Sequence, residues 1–381
     1  MTKLVIIGTG IAGYTLAREF RRRDEETEIL LITRDDGSSY SKPMLSNALS
    51  KEKSAADLVM ADTDKMSENL NAEIWNNTHV LSINPDTQNI ETDKGKLSYD
   101  KLVLANGANT ISAPIEGNAA AQVLSVNDLD DYRVFRTELE KGKRIVIIGA
   151  GMIGCEFAND LFNVDAQISI VDLASQALGL LLPQQAAILL QEKLSEQGVE
   201  WYFENSVTHV EEADVGLTVI LKSGDKINAD IVLSAIGLRP SLELANAAGL
   251  ATERGVKVDR YLRTSNDNIF ALGDCAQVDD LTLPFVMPLM TSARALAATL
   301  AGEATAVKYV AMPVALKTPC YPVVVCPLPR KVDGSWKVEV NEQGVRALYN
   351  DIDNNIAGFA LTGECVKEKT ALAKKVADWL D

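Results

Sequence analysis

An α/β fold is predicted for this chain, with two three-layer parallel-sheet domains and a small C-terminal α+β domain. Three observations predict it. An apolar run, a glycine-rich turn and a segment of helical period occur twice, at Val5-Ile-Ile-Gly-Thr-Gly-Ile-Ala-Gly13 and at Val146-Ile-Ile-Gly-Ala-Gly-Met-Ile-Gly154, 141 residues apart. Each unit then returns to a second apolar run, Ile29-Leu-Leu-Ile32 and Ile168-Ser-Ile-Val171, which makes two βαβ units and hence two parallel sheets. From Met312 onward the composition changes, with prolines at 313, 319, 322, 327 and 329 ahead of alternating stretches.

Taken in order, the opening runs are apolar at nearly every position, as strands buried on both faces are. Helical period follows over 14–23 and over 155–162. Between the units, strand-like segments fall at 74–83 and at Lys101-Leu-Val-Leu-Ala105. After the second unit come 217–221 and 226–227 around a Ser-Gly-Asp turn, then Asp230-Ile-Val-Leu-Ser-Ala-Ile236. Residues 290–300 are alanine-rich with Pro288 just ahead, which predicts a helix; Met287, Met290 and Met312 around it are expected to be packing residues. In the last domain, strands are predicted between Cys320 and Cys326, at 335–340 and at 344–349.

Composition narrows the function classes. Among 381 residues, 53 acidic against 37 basic side chains leave a net charge of −16, a field that disfavours nucleic acid and anionic membrane surfaces. Small molecules and proteins remain as partners. No apolar run approaches the roughly 18 residues of a membrane span, and the N-terminus enters Leu4-Val-Ile-Ile7 without a leader-like segment, so a cytoplasmic location is expected. The five cysteines form no C-x-x-C pair, which fits reduced thiols. A strand between Cys320 and Cys326 separates them by roughly 20 Å, too far for a bridge. His79 and His209 lie near neither glycine turn, so no metal site and no histidine base is expected.

A G-x-G-x-x-G turn lets the backbone approach a pyrophosphate and aims free helix N–H groups at it. Gly8, Gly10 and Gly13 fit this pattern, as do Gly149, Gly151 and Gly154. In the second unit Asp172 closes the strand, placed either to accept from a ribose hydroxyl or to cap the next segment. No arginine adjoins it to receive a 2′-phosphate, which favours NAD over NADP. In the first unit the strand runs into Thr33-Arg34-Asp35-Asp36, and no carboxylate can be assigned.

Three further segments extend the pattern: Leu102-Val-Leu-Ala-Asn-Gly-Ala108, with Asn106 where threonine is usual, Ser234-Ala-Ile-Gly-Leu-Arg-Pro240, and Thr264-Ser-Asn-Asp-Asn-Ile-Phe-Ala-Leu-Gly-Asp274. With them, the chain resembles over essentially its whole length the FAD- and NAD(P)H-dependent reductases with two Rossmann-like domains related to glutathione reductase. Within that family it is similar to the rubredoxin and ferredoxin reductases. The resemblance implies an FAD-binding domain from residues 1–112 and 244–311, an NAD-binding domain at 113–243 and a small third domain at 312–381. Cofactor contacts are implied at Gly8, Thr9, Gly10, Ala12, Gly13, Thr33, Arg34, Lys42, Pro43, Val80, Ala105, Gly107, Gly149, Gly151, Ile153, Gly154, Glu156, Asp172, Gly237, Gly273, Asp274, Val286 and Lys317. Of these, Asp274 matches the aspartate that bonds the ribityl chain of FAD, and Val80 the position against the adenine.

The segment Tyr40-Ser-Lys-Pro-Met-Leu-Ser46 places the chain within the family. Disulfide reductases of this fold carry two cysteines here, and NADH peroxidases and oxidases one; this chain has none, so electrons are expected to leave the flavin directly. Its Ser-Lys-Pro resembles the rubredoxin reductases, which implies that Lys42 lies by the flavin ring, that Glu156 pairs with it between nicotinamide and flavin, and that Lys317 approaches from the third domain. These three are the implied catalytic residues. The helix at 290–300 is implied to point its positive end at the flavin. The implied activity is hydride transfer from NADH to FAD, then single-electron transfer to rubredoxin. Reductases of flavorubredoxin or of an oxygenase ferredoxin remain open, as do an NADH oxidase and an NADH-sensing flavoprotein. Lys42, Lys317, Arg330 and Lys331 are candidates for a locally basic docking patch.

Overall fold

The two opening runs become the central strands of two parallel sheets. A computed structural model describes residues 3–381, the side chain of Lys141 excepted. In the first sheet, Lys3–Ile7 lies between Glu28–Ile32 and Lys101–Leu104, with Glu73–Trp75 and Ile269–Ala271 on the edges. In the second, Arg144–Ile148 lies between Gln167–Val171 and Ile231–Ser234, and Val199–Tyr202 completes it.

Strand alternation explains why these runs are apolar throughout. Ile145 and Ile147 point into a core shared with the helices Leu129–Lys141, Met152–Leu161 and Gln184–Ser195, whereas Val146 and Ile148 face an antiparallel ribbon of Val207–Glu212, Leu217–Leu221 and Lys226–Ala229. Helix, sheet and ribbon make three layers. The first domain repeats the plan, with helix Ile11–Arg21 packed on helix Val286–Leu300 and a ribbon of Val80–Asn84, Asn89–Thr92 and Gly95–Ser98. The chain crosses between the two units at a short antiparallel pair, Ala108–Thr110 with Leu238–Pro240.

Two predicted elements differ. The segment 74–83 divides, its first part joining the parallel sheet and its second the ribbon, because Asn77 takes a left-handed turn (φ 44°) between them. The helix expected from 290 begins at Val286, with Pro288 inside its first turn, where a missing N–H costs no intrahelical bond. Met287 at that helix start is 56% exposed, so it is not a packing residue, while Met312 is buried.

The C-terminal domain is a five-stranded antiparallel sheet in the order Val314–Ala315, Val323–Cys326, Ile356–Thr362, Gly344–Asp351, Gly334–Asn341. It wedges between the other two: Val323 and Val325 pack into the core of the second domain, Val324 and Cys326 into that of the first.

Candidate active site

Each glycine turn forms an empty-sided cradle at the carboxyl edge of its sheet. A methyl group on Gly13 would lie 1.9 Å from the Gly8 carbonyl oxygen, and one on Gly154 1.9 Å from that of Gly149, so these glycines let helix and strand meet closely. The middle glycines are different. Nothing approaches within 4 Å of a methyl group built on Gly10 or Gly151, and neither helix that follows has a side-chain cap on its first N–H groups. Open space facing uncapped N–H groups fits a pyrophosphate at both cradles.

An acid stands beside each cradle. Asp172 accepts from the backbone N–H of Ala150 (2.5 Å) and of Ala174 (2.7 Å), so it both orders the turn and caps the next segment. In the first domain Asp35 holds the matching place. Its Oδ1 accepts from Thr33 Oγ1 (2.7 Å) and Gly37 N (3.0 Å) and lies 3.5 Å from Thr9 Oγ1. Sequence reading left this acid unassigned because it lies beyond the strand; the turn at Gly37 (φ 73°) folds it back. Arg34 faces Asp128 at 4.0 Å.

The other candidate positions gather at the same edges. Thr33, Ala105, Gly237 and Gly273 each follow the end of a parallel strand, where ligands of such sheets bind. Gly107 takes φ 68° and accepts from Ser241 N. Ala12 lies in the first turn of its helix, and Ile153, 46% exposed, in that of the second. Val80 opens the ribbon, and Pro43 opens the short helix Lys42–Asn47. Val286, at the start of its helix, is exposed.

Lys42 and Asp274 act on each other's charge, and Gly273, next to Asp274, lies against Ala12 of the first cradle's helix. Burial holds the Lys42 ammonium below its ordinary value, opposed by the carboxylates of Asp274, Asp128 and Asp131. Burial pushes the Asp274 carboxyl up, opposed by Lys42. Both residues are half-buried.

Glu156, only 1% exposed, is where the three domains meet. It accepts from Ser46 Oγ (2.7 Å) and from the backbone N–H of Lys317 (3.1 Å), and it is ion-paired with the Lys317 ammonium. The expected Glu156–Lys42 pair does not form. Lys42 Nζ instead donates to Asn127 Oδ1 at 2.6 Å, drawn toward the three aspartates, and Lys317 fills the position at Glu156. Two further residues of the same helix grip the same loops: Asp160 accepts from Leu49 N (2.9 Å) and Ser50 N (2.8 Å), and Asn159 Oδ1 from Cys320 N (3.2 Å). Sequence reading missed Ser46, Asn159 and Asp160, although Glu156, Asn159 and Asp160 lie at i, i+3, i+4 on one helix face. That polar stripe on an otherwise buried helix was the available signal.

Two of the four residues of the expected basic docking patch, Arg330 and Lys317, are ion-paired. Arg330 is bound to Asp280 (Nε–Oδ2 and Nη2–Oδ1 both 2.7 Å) and to the Trp379 carbonyl, and Lys317 and Lys42 are engaged as described. Among the described residues, no group of histidines, cysteines and carboxylates could hold a metal ion, all five cysteines are free, and no helix is long and apolar enough to cross a membrane.

Two dinucleotide cradles on separate parallel sheets, a buried Glu–Lys pair between them and no cysteine in the loop at 40–47 define a flavin- and pyridine-nucleotide-dependent reductase without a dithiol relay. A family model described as pyridine nucleotide-disulphide oxidoreductase matches residues 2–298, and the chain belongs to that family. A second model, described as a rubredoxin binding C-terminal domain, matches residues 306–376. The chain is 48% identical over 377 residues to a rubredoxin-NAD(+) reductase of Alcanivorax borkumensis, covering 99% of both chains. It is 45% identical over 387 residues to that of Acinetobacter baylyi, covering 99% of this chain and 98% of the relative. Among solved structures it is similar to the putidaredoxin reductase–putidaredoxin complex, with a TM-score of 0.88 and 25% identity, covering 98% of this chain and 93% of the other.

Proposed function

We propose that this protein is a cytoplasmic NADH-dependent reductase that holds one FAD, takes hydride from NADH and delivers single electrons to rubredoxin. The observation that carries this reading is the reach of Lys317, within the segment matched as rubredoxin-binding, to Glu156, which also bonds Ser46 of the loop at 40–47. The part of the chain that would meet the acceptor thereby forms one wall of the redox site.

FAD, when bound, supplies a centre that takes two electrons as hydride and releases them singly. The residues supply the rest. The uncapped N–H groups after Gly10 and Gly151 would hold the two pyrophosphates, Asp35 and Asp172 would hold the two riboses, and Asp274 would accept from the ribityl hydroxyls. Lys42, whose ammonium is bonded to a neutral amide, would place positive charge beside the ring, while the charge of Lys317 is balanced by Glu156. Glu156 holds Lys317 in place through its ammonium and its backbone N–H. The short helix Lys42–Asn47 is free of thiols, which supports direct transfer over a disulfide relay and weighs against an oxidase that depends on a reactive cysteine. Five free cysteines suit a reducing compartment.

Steady-state NADH oxidation by the FAD-loaded protein, with cytochrome c as terminal reporter, tests this. Rubredoxin should stimulate the rate strongly and ferredoxin weakly. Equal rates with and without rubredoxin, alongside fast O₂ consumption, would replace the reading by an oxidase.

A further inference from the structure

Lys42 is surrounded by carboxylates yet paired with none of them. Asp274, Asp128 and Asp131 all act on its ammonium, but among the described residues it makes no ion pair; its hydrogen-bond partner is the neutral Oδ1 of Asn127, at 2.6 Å. Asn127 is itself fixed at its other two groups. Its Nδ2 donates to the Ala108 carbonyl (3.0 Å) and its backbone N–H to Asp131 Oδ2 (2.9 Å). Ala108 begins the strand at which the chain crosses between the first two domains, so the amide is anchored to a rigid element. The Asp131 carboxylate is held by the Asn127 N–H, and Asp128 Oδ1 in turn accepts from the Asp131 N–H (2.9 Å).

We propose that Asn127 is a positioning residue that holds Lys42 off Asp274, so that the ammonium and the carboxylate are both available to the bound flavin. An amide oxygen satisfies an ammonium proton without neutralising its charge. With that acceptor gone, a partly desolvated ammonium moves to the nearest uncompensated carboxylate, because removing it from water is tolerated only when it is bonded. The uncompensated carboxylate is Asp274, since Asp131 is held by the 127–131 turn and Asp128 faces Arg34. A closed Lys42–Asp274 pair takes two groups away from the cofactor together.

The inference rests on the reading that FAD binds beside Lys42 and Asp274. Its test is FAD binding to the flavin-stripped full-length protein, followed by quenching of flavin fluorescence and independent of any acceptor. Asn127→Leu should raise the FAD dissociation constant at least about tenfold, the scale of one charge-assisted hydrogen bond. In a Lys42→Met background the same substitution should change it less than about twofold, because no lysine remains to collapse onto Asp274. If Asn127→Leu does not fold, Asn127→Ser, which shortens the side chain out of reach of the lysine, is read the same way. Binding within twofold of the unsubstituted protein overturns the proposal. So does an equal loss in both backgrounds, which would make Asn127 a merely structural residue. Failure of the unsubstituted protein to take up FAD would instead overturn the underlying reading.

Discussion

Substituting Lys317→Met tests whether the three domains are joined through a charge. Glu156 is 2% exposed at its side chain and Lys317 28%, so the pair is largely removed from water. Removing one partner of a buried pair costs about 3–5 kcal/mol, because the remaining charge loses its compensation. Here Ser46 Oγ and the Lys317 backbone N–H still bond the carboxylate, and the lysine is partly solvated. The expected cost is therefore below that range, about 2–3 kcal/mol. Glu156→Gln in the same protein removes the charge while keeping the shape, so the Lys317→Met substitution on that background should cost less than about 1 kcal/mol. Urea unfolding followed by tryptophan fluorescence reads both backgrounds, with Trp336 and Trp379 lying in the C-terminal part of the chain. A coupling energy under about 0.5 kcal/mol would refute the argument, because it would mean that the ion pair is incidental to how the domains are held.

Other substitutions separate packing from binding. Gly151→Ala, at φ −74° with open space around the added methyl, should leave thermal stability unchanged and raise the KM for NADH about tenfold or more. Gly154→Ala should fold poorly, losing more than about 3 kcal/mol, since its methyl would meet the Gly149 carbonyl at 1.9 Å; a wild-type melting curve would contradict that packing argument. Asp172→Ala removes the acceptor of two turn N–H groups and should raise the KM for NADH with little change in kcat, as expected for uniform binding. Hydrogen bonds from Arg144 hold the Asp230 carboxyl below its ordinary value. A lowered folded-state value makes this contribution fully present at neutral pH and lost as pH falls below about 4. Arg144→Met should therefore flatten the acid limb of the urea midpoint against pH, and an unchanged acid limb would contradict it.

Most of the architecture was legible because local pattern and tertiary role coincide. Arg144–Ile148 and Lys3–Ile7 are apolar at successive positions since both faces of each strand are covered, and the glycine spacing recurs because it is set by a clash distance. What was not legible depends on chain reversal or on competition. Asp35 lies past its strand and returns only through the turn at Gly37, which no spacing rule anticipates. The segment 74–83 has one composition but two sheets, divided by the backbone of Asn77. On the sequence, Lys42 is the expected partner of Glu156, with Lys317 expected only to approach from the third domain. The structure gives that carboxylate to Lys317 because the aspartates and Asn127 already draw Lys42 aside. Residue type announces such a site; which partner wins is a property of three packed domains.

The most direct test of the central claim is anaerobic mixing of the NADH-reduced, FAD-loaded protein with oxidised rubredoxin, monitored through the rubredoxin absorbance. Rapid reduction of rubredoxin, matched by reoxidation of the flavin, is the predicted result. Rubredoxin that stays oxidised beside a fully reduced flavin would contradict the account.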